Sequence, residues 1–292
     1  MDKKEWGKIQ SIWNTEAFEL LVIEQKTKDL IQAVVSNQLR STENADLIRG
    51  KGNGLFILLH GGPGTGKTLT AESVAEVARR PLYRVTCGDI GTKAEAVEEY
   101  LHVVLHLGKT WGCVVLLDEA DVFLEQRSMV NLERNALVSV FLRVLEYYDG
   151  ILILTSNRVG TFDEAFKSRI QLNLRYKNLD RNQRWNIWNN FIIRLKRLDE
   201  ESGANVKEEL SHGIKFDEIT GNLDKLADAN LNGRQIRNVI STARQLARYR
   251  QVAMGYEHLE AVIHEAEKFD EYLLELNNAY SADEIRRDKH ER

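Results

Sequence analysis

Proline is nearly missing from this 292-residue chain: Pro63 and Pro81 are the only two. With no proline-rich or serine-rich tract and no internal repeat, domain boundaries must be read from changes of pattern. Cysteine is as scarce, with only Cys87 and Cys113. That excludes a disulfide framework and points to a reducing, intracellular compartment, cytoplasm or nucleus left open. No run of 18 or more apolar residues occurs, and the opening segment from Met1 to Trp13 is polar and charged. A membrane span and a secretory signal are therefore not expected. Neither sign of charge prevails, with 40 Lys and Arg against 44 Asp and Glu, a net charge of −4. This balance argues against nucleic-acid binding through bulk positive charge. The 43% hydrophobic and 29% charged residues describe an ordinary soluble globular protein.

Five short apolar runs stand out: Leu55 to Leu59, Leu82 to Val85, Cys113 to Leu117, Ile151 to Leu154 and the alternating Ile170 to Leu174. Helical stripes surround them. Leu30, Ile31, Val34, Val35 and Leu39 form one, Val97, Tyr100, Leu101, Val104 and Leu105 another, and Leu137, Val140, Phe141, Val144, Leu145 and Tyr148 a third. Continuous apolar strands alternating with amphipathic helices predict an α/β fold: a five-stranded parallel sheet with helices on both faces. Beyond Tyr176 the pattern is helical only, with stripes through Ile236, Val239, Ile240, Ala243 and Ala247 and through Leu259, Val262, Ile263 and Ala266. The expected division is an α/β domain over 1–178, a small all-α lid domain over 179–280, and a charged, disordered tail over 281–292. Trp185, Trp188, Phe191 and Ile192 read as core of the helical domain. Arg237, Arg244 and Arg248 approximate one helical stripe, with Arg250 beside it, read as solvated or subunit-facing surface.

Between the first strand and the next helix lie Gly61, Gly62, Pro63, Gly64, Thr65, Gly66, Lys67 and Thr68, a full match to G-x-x-x-x-G-K-[ST]. Glycines let successive backbone N–H groups turn toward one point, and the following helix, from Leu69, adds the positive end of its dipole. Lys67 is placed to reach the β- and γ-phosphates of a nucleotide, and the Thr68 hydroxyl to ligate Mg²⁺. The third strand runs straight into Asp118 and Glu119. Acids at the carboxyl end of a parallel strand stand where such sheets bind ligands. Asp118 would hold Mg²⁺, and Glu119 would act as general base on the attacking water.

In these motifs the chain resembles the AAA+ ATPases, in particular the classical AAA branch, from about Ala17 to Ala266. The most specific part is Thr155-Ser-Asn157-Arg158 through Asp163-Glu-Ala165 to Ser168-Arg169, which resembles the family's second region of homology. Asp118 to Leu124 and Leu145 to Tyr148 are similar to segments of a group of large fungal AAA proteins, which implies an ATPase module excised from a longer chain. The resemblance implies roles position by position. Asn157 would orient the attacking water. Arg169 would be an arginine finger inserted into a neighbour's site, with Arg158 a second candidate. Arg234 would reach the γ-phosphate in cis, Arg237 being the alternative. Adenine would lie among Leu21, Val22, Ile187 and Gly233. Asp89-Ile90-Gly91 stands where threading members carry an aromatic pore loop, and the loop from Arg127 to Arg134 is a second pore candidate.

The resemblance implies a ring, a homohexamer, in which turnover of ATP to ADP remodels a protein partner. Two rivals remain open: a slow nucleotide-controlled assembly switch or binding module, which the missing pore aromatic favours, and a nucleic-acid-stimulated ATPase.

Overall fold

The structure is a computed structural model that describes residues 13–40, 54–86, 93–124, 132–158, 162–203 and 213–276. Cys87, the Asp89-Ile90-Gly91 segment, most of the loop from Arg127 and the tail from Ser281 lie outside the described residues. The elements up to β5 are α1 (Glu16–Glu19), α2 (Gln25–Arg40), β1 (Leu55–Gly61), α3 (Lys67–Ala78), β2 (Leu82–Thr86), α4 (Ala94–Trp111), β3 (Val114–Asp118), α5 (Asp121–Leu124), α6 (Leu132–Leu145), β4 (Ile151–Ser156), α7 (Glu164–Lys167) and β5 (Leu172–Tyr176). Helices alone follow: α8 (Arg181–Gly203), α9 (Phe216–Gly221), α10 (Leu223–Asp228), α11 (Gly233–Tyr249) and α12 (Tyr256–Leu276). The described residues form two compact units. One takes the chain up to His60 together with Lys67–Arg175; the other takes Gly61–Gly66 and the chain from Tyr176. Among the described residues no helix is long and apolar enough to cross a membrane.

The first unit holds a five-stranded parallel sheet in the order β2-β3-β4-β1-β5. Every residue of β1, β3 and β4 is buried, as continuous apolar runs require when helices cover both faces of a parallel sheet. Register aligns Leu55 with Ile151 and Val114 with Ile151, so the three central strands advance in step toward the same edge. Around them α4 and α6 bury Leu101, Val104, Leu137, Phe141 and Leu145. At Gly108 a Cβ would collide with the Val115 side chain, so α4 lies against β3 at a distance that only glycine allows.

Two strand boundaries differ from expectation. Cys113 is not in β3, because Gly112 takes a left-handed turn (φ 63°) and the Cys113 N–H donates to Gly108 O at 2.8 Å, closing α4. Ile170 and Gln171 precede β5. There the Gln171 N–H donates to Phe56 O at 3.1 Å, and its side chain extends the pairing: Oε1 accepts the Phe56 N–H at 2.7 Å and Nε2 donates to Gly54 O at 2.9 Å. In α2 the inward face runs through Lys28, Ile31 and Val35, while Leu30, about 100° away around the helix, is 47% exposed.

The second unit has its own core. Trp188 and Ile192 of α8 are buried against Ile219, Leu226, Ile236, Val239, Ile240, Ala243 and Leu259, with Trp185 and Phe191 partly buried beside them. The expected stripe of α11 is buried in full.

Gln171→Ala strips two pairing partners from the start of β1, one of them the N–H of buried Phe56. We expect a loss of about 1–3 kcal/mol, seen as a lower urea midpoint at unchanged slope; an unchanged midpoint would show that water replaces the amide.

Candidate functional site

The apolar run of β3 ends in Asp118, whose carboxylate is buried and surrounded by donors from three other segments. The Thr155 hydroxyl, on β4, donates to Oδ1; the Thr68 hydroxyl, on the first turn of α3, lies 3.3 Å from the same oxygen. Arg84 of β2 reaches Oδ2 at 2.6 Å from a half-exposed position. Thr155 also accepts the Glu119 N–H at Oγ1 (2.9 Å) and the Ala120 N–H at its carbonyl (2.8 Å). These bonds hold Glu119 in the left-handed region at φ 58°, uncommon for a residue with a Cβ, and leave it exposed. Such local strain is typical of functional positions.

Lys67 is 6% exposed at the start of α3, whereas Leu69, two residues on, is exposed. Asn157 follows Ser156 directly and is exposed; the Ser156 hydroxyl donates to Asp121 and accepts the Arg158 N–H at 3.1 Å. Arg169 is held on its own chain, donating to Ala165 O at 3.0 Å, with Glu146 at 3.8 Å. Leu21 is buried and Val22 half-buried in this unit.

His60, the residue before the glycine loop, is buried, and its imidazole makes an edge contact with Phe162, ring centroids 5.4 Å apart. Burial holds its pKa below 6.5, and the nearby cations Arg175 and Lys67 act in the same direction, against a hydrogen bond to the Asn173 side chain that raises it.

In the other unit, the segment Gly61–Gly66 turns on Gly64 (φ 70°) and Gly66 (φ 103°). Asn232 lies over Gly64 so closely that a Cβ there would strike its amide, and the Gly233 N–H donates to Gly64 O at 2.9 Å. Asn232 also starts α11 in a reciprocal capping box with Gln235. The Thr65 hydroxyl donates to Gly62 O at 2.8 Å, and Asn178 Oδ1 flanks Gly62, while Pro63 is exposed. Ile187 Cδ1 lies 4.0 Å from where a Gly233 Cβ would stand, so these two of the four proposed adenine neighbours meet beside Gly64. Arg234 and Arg237 are exposed on α11.

The structure therefore gathers Thr68 and Asp118 and sets Glu119 beside them. Sequence reasoning missed Arg84, the Thr155 hydroxyl and Asn232. A lone arginine within β2 and the Asn-x-x-Gln pattern at 232–235 were the available signals; nothing local marked Thr155 as the partner of Asp118.

Residues 57–178 match the family model described as ATPase family associated with various cellular activities (AAA), and residues 179–280 match that of the fungal AAA+ ATPase lid domain. The chain belongs to the AAA+ ATPases. The chain is similar to an ATPase family AAA domain-containing protein 3A homolog of Drosophila melanogaster, 29% identical over 162 residues, covering 53% of this chain and 26% of the relative. It is also similar to the human ATPase family AAA domain-containing protein 3B, at 32% over 130 residues (42% and 20%). A putative 26S proteasome regulatory subunit homolog of Methanothermobacter marburgensis matches at 30% over 129 residues (41% and 35%). The chain thus spans between a fifth and about a third of the length of these relatives.

The AAA region carries one pH dependence of its own. Because the His60 pKa is lowered in the fold, the unfolded chain takes up its proton first. The stability that neutral His60 contributes is present above pH 6.5 and is lost as pH falls through the folded pKa. His60→Gln should flatten the stability profile between about pH 7 and pH 5 in urea titrations; an unaltered slope would show that His60 protonates as readily in the fold.

Proposed function

We propose that this AAA module binds ATP with Mg²⁺ and hydrolyses it to ADP and phosphate. In this reading the α/β domain spans 1–178, the lid spans 179–280, and copies assemble as a homohexameric ring that remodels a protein partner. One observation carries the reading. Thr68 and Asp118, 50 residues apart in sequence, bring hydroxyl and carboxylate oxygens together beside an exposed Glu119 fixed in a left-handed backbone. Hard oxygen donors of this kind suit Mg²⁺, which keeps several waters and completes its shell with phosphate oxygens. When bound, the ion would supply positive charge against the β- and γ-phosphates.

The chain's own residues do the rest. Backbone N–H groups of Gly61, Gly62, Gly64, Thr65 and Gly66, with Lys67, Thr68 and Leu69 at the helix start, would cradle the phosphates, while Pro63 rigidifies the loop. Glu119 would take the proton of the attacking water as its oxygen bonds to the γ-phosphorus and the bond to ADP breaks. Asn157 would orient that water. Adenine would rest among Leu21, Val22, Ile187 and Gly233. Arg234, or Arg237 in its place, would approach the γ-phosphate from the lid, and Arg169 would act in a neighbour's site. The relative described as a proteasome regulatory subunit homolog favours a protein over a nucleic acid as partner. A second reading, a slow nucleotide-controlled assembly switch, draws support from Arg169 being engaged by Ala165 and Glu146 of its own chain.

Glu119→Gln should keep ATP affinity by calorimetry and lower turnover by about 10²–10⁴-fold. Lys67→Ala should lose affinity itself. Normal turnover in the first, or normal affinity in the second, would overturn the assignment.

Phosphate release by the parent chain should rise steeply per molecule with protein concentration, and Arg169→Ala should abolish that rise while leaving ATP binding intact. A flat, substantial rate in both would favour the switch.

A further inference from the structure

Asp118 carries a single negative charge, and a cation of its own chain already meets it: Nη2 of Arg84 lies 2.6 Å from Oδ2. Pairing of β2 with β3 sets Arg84 level with Leu116 and Thr86 level with Asp118. Arg84 and Asp118 therefore share a face of the sheet, two residues apart along the strands, a gap that an arginine spans.

The direction of the carboxylate is already set by hydroxyls. Thr155, itself buried, donates to Oδ1, and the Thr68 hydroxyl stands 3.3 Å from Oδ1 and 3.5 Å from Oδ2. What Arg84 adds is charge. The two partners are held very differently, for the Asp118 side chain is 8% exposed and that of Arg84 52%. The acid is fixed in the sheet, whereas the guanidinium lies at the rim, and Asp118 is its one partner among the described residues. A turn of the arginine into water breaks no other bond.

We propose that Arg84 is a counter-ion that a divalent metal must displace from Asp118, and that it thereby bars bare Mg²⁺ while admitting the ion that comes with nucleotide phosphates. A hydrated Mg²⁺ alone would bring two positive charges to a carboxylate that Arg84 has neutralised, and the two cations would repel. An ion carried by ATP arrives with the negative charge of the phosphates, which offsets that repulsion and gives the displaced guanidinium an anion to face. Arginine suits the task better than lysine, since its weakly hydrated fork leaves water for a carboxylate more readily. The inference rests on the Mg²⁺ site at Thr68 and Asp118 in the functional reading, and it states in which form that site takes the ion.

The test measures metal binding rather than turnover. The parent chain, R84Q, R84M, R84K and R84Q/D118N are titrated with Mn²⁺ alone, and the free ion is counted by electron paramagnetic resonance. R84Q should bind one Mn²⁺ about tenfold or more tighter than the parent, the scale on which a neighbouring opposite charge alters the proton affinity of a carboxylate. Mg²⁺ should compete for that ion. R84M removes the same charge while keeping an apolar stem, so the result does not hang on the folding of one variant. R84K should stay close to the parent, and R84Q/D118N should lose the added affinity. With ATP present, the gap between the parent and R84Q should narrow. Equal or weaker Mn²⁺ binding by both uncharged variants, or tighter binding that survives in R84Q/D118N, would overturn the role of Arg84. Calorimetry with ATP tells this failure from that of the functional reading. A parent affinity that rises with Mg²⁺ upholds the metal site, whereas one indifferent to Mg²⁺ would remove the site and its counter-ion together.

Discussion

Parallel strands buried on both faces have no freedom to slide, because a shift of one residue would exchange side chains between helical layers that are already full. β1, β3 and β4 are of this kind, and their common register brings Gly61, Asp118 and Thr155 to the same edge of the sheet. The candidate site follows from that constraint. Thr155 can bind both Asp118 and the Glu119 N–H only because β4 runs beside β3 and ends level with it. The unusual backbone of Glu119 is then sustained by neighbours belonging to the most rigid part of the fold.

The glycine loop has a different support. Gly64 is bonded to Gly233 and covered by Asn232, so the start of α11 fixes the turn that precedes Lys67. The same asparagine caps that helix. A single residue thus serves helix formation and loop geometry, and substitution there disturbs both.

Most of this architecture was legible in the sequence because it is written in contiguous patterns. The runs of β1, β3 and β4, the stripe of α11 and the glycine-lysine-threonine loop are local signals whose physical cause is also local. What escaped was tertiary. Arg84 reads as an ordinary edge-strand arginine until β2 is paired with β3 and its guanidinium meets Asp118. Gln171 reads as the second residue of a strand, yet beside its one backbone bond to Phe56 O its side chain makes two more to the start of β1. Leu30 counted as part of an apolar stripe because a helical window tolerates a wide arc, whereas burial admitted only a narrow one.

The sorting of charge in the helical unit has a consequence for how the molecule travels before it touches anything. A net charge of −4 describes the chain only from afar. Within about one Debye length, an approaching body meets four arginines on one helix and six glutamates on the next. The unit is therefore an electric dipole, and it experiences a torque in the field of any charged surface. Such a molecule should adhere to both anion- and cation-exchange media at low ionic strength, in opposite orientations, and its encounters are oriented while the partners are still separated by water.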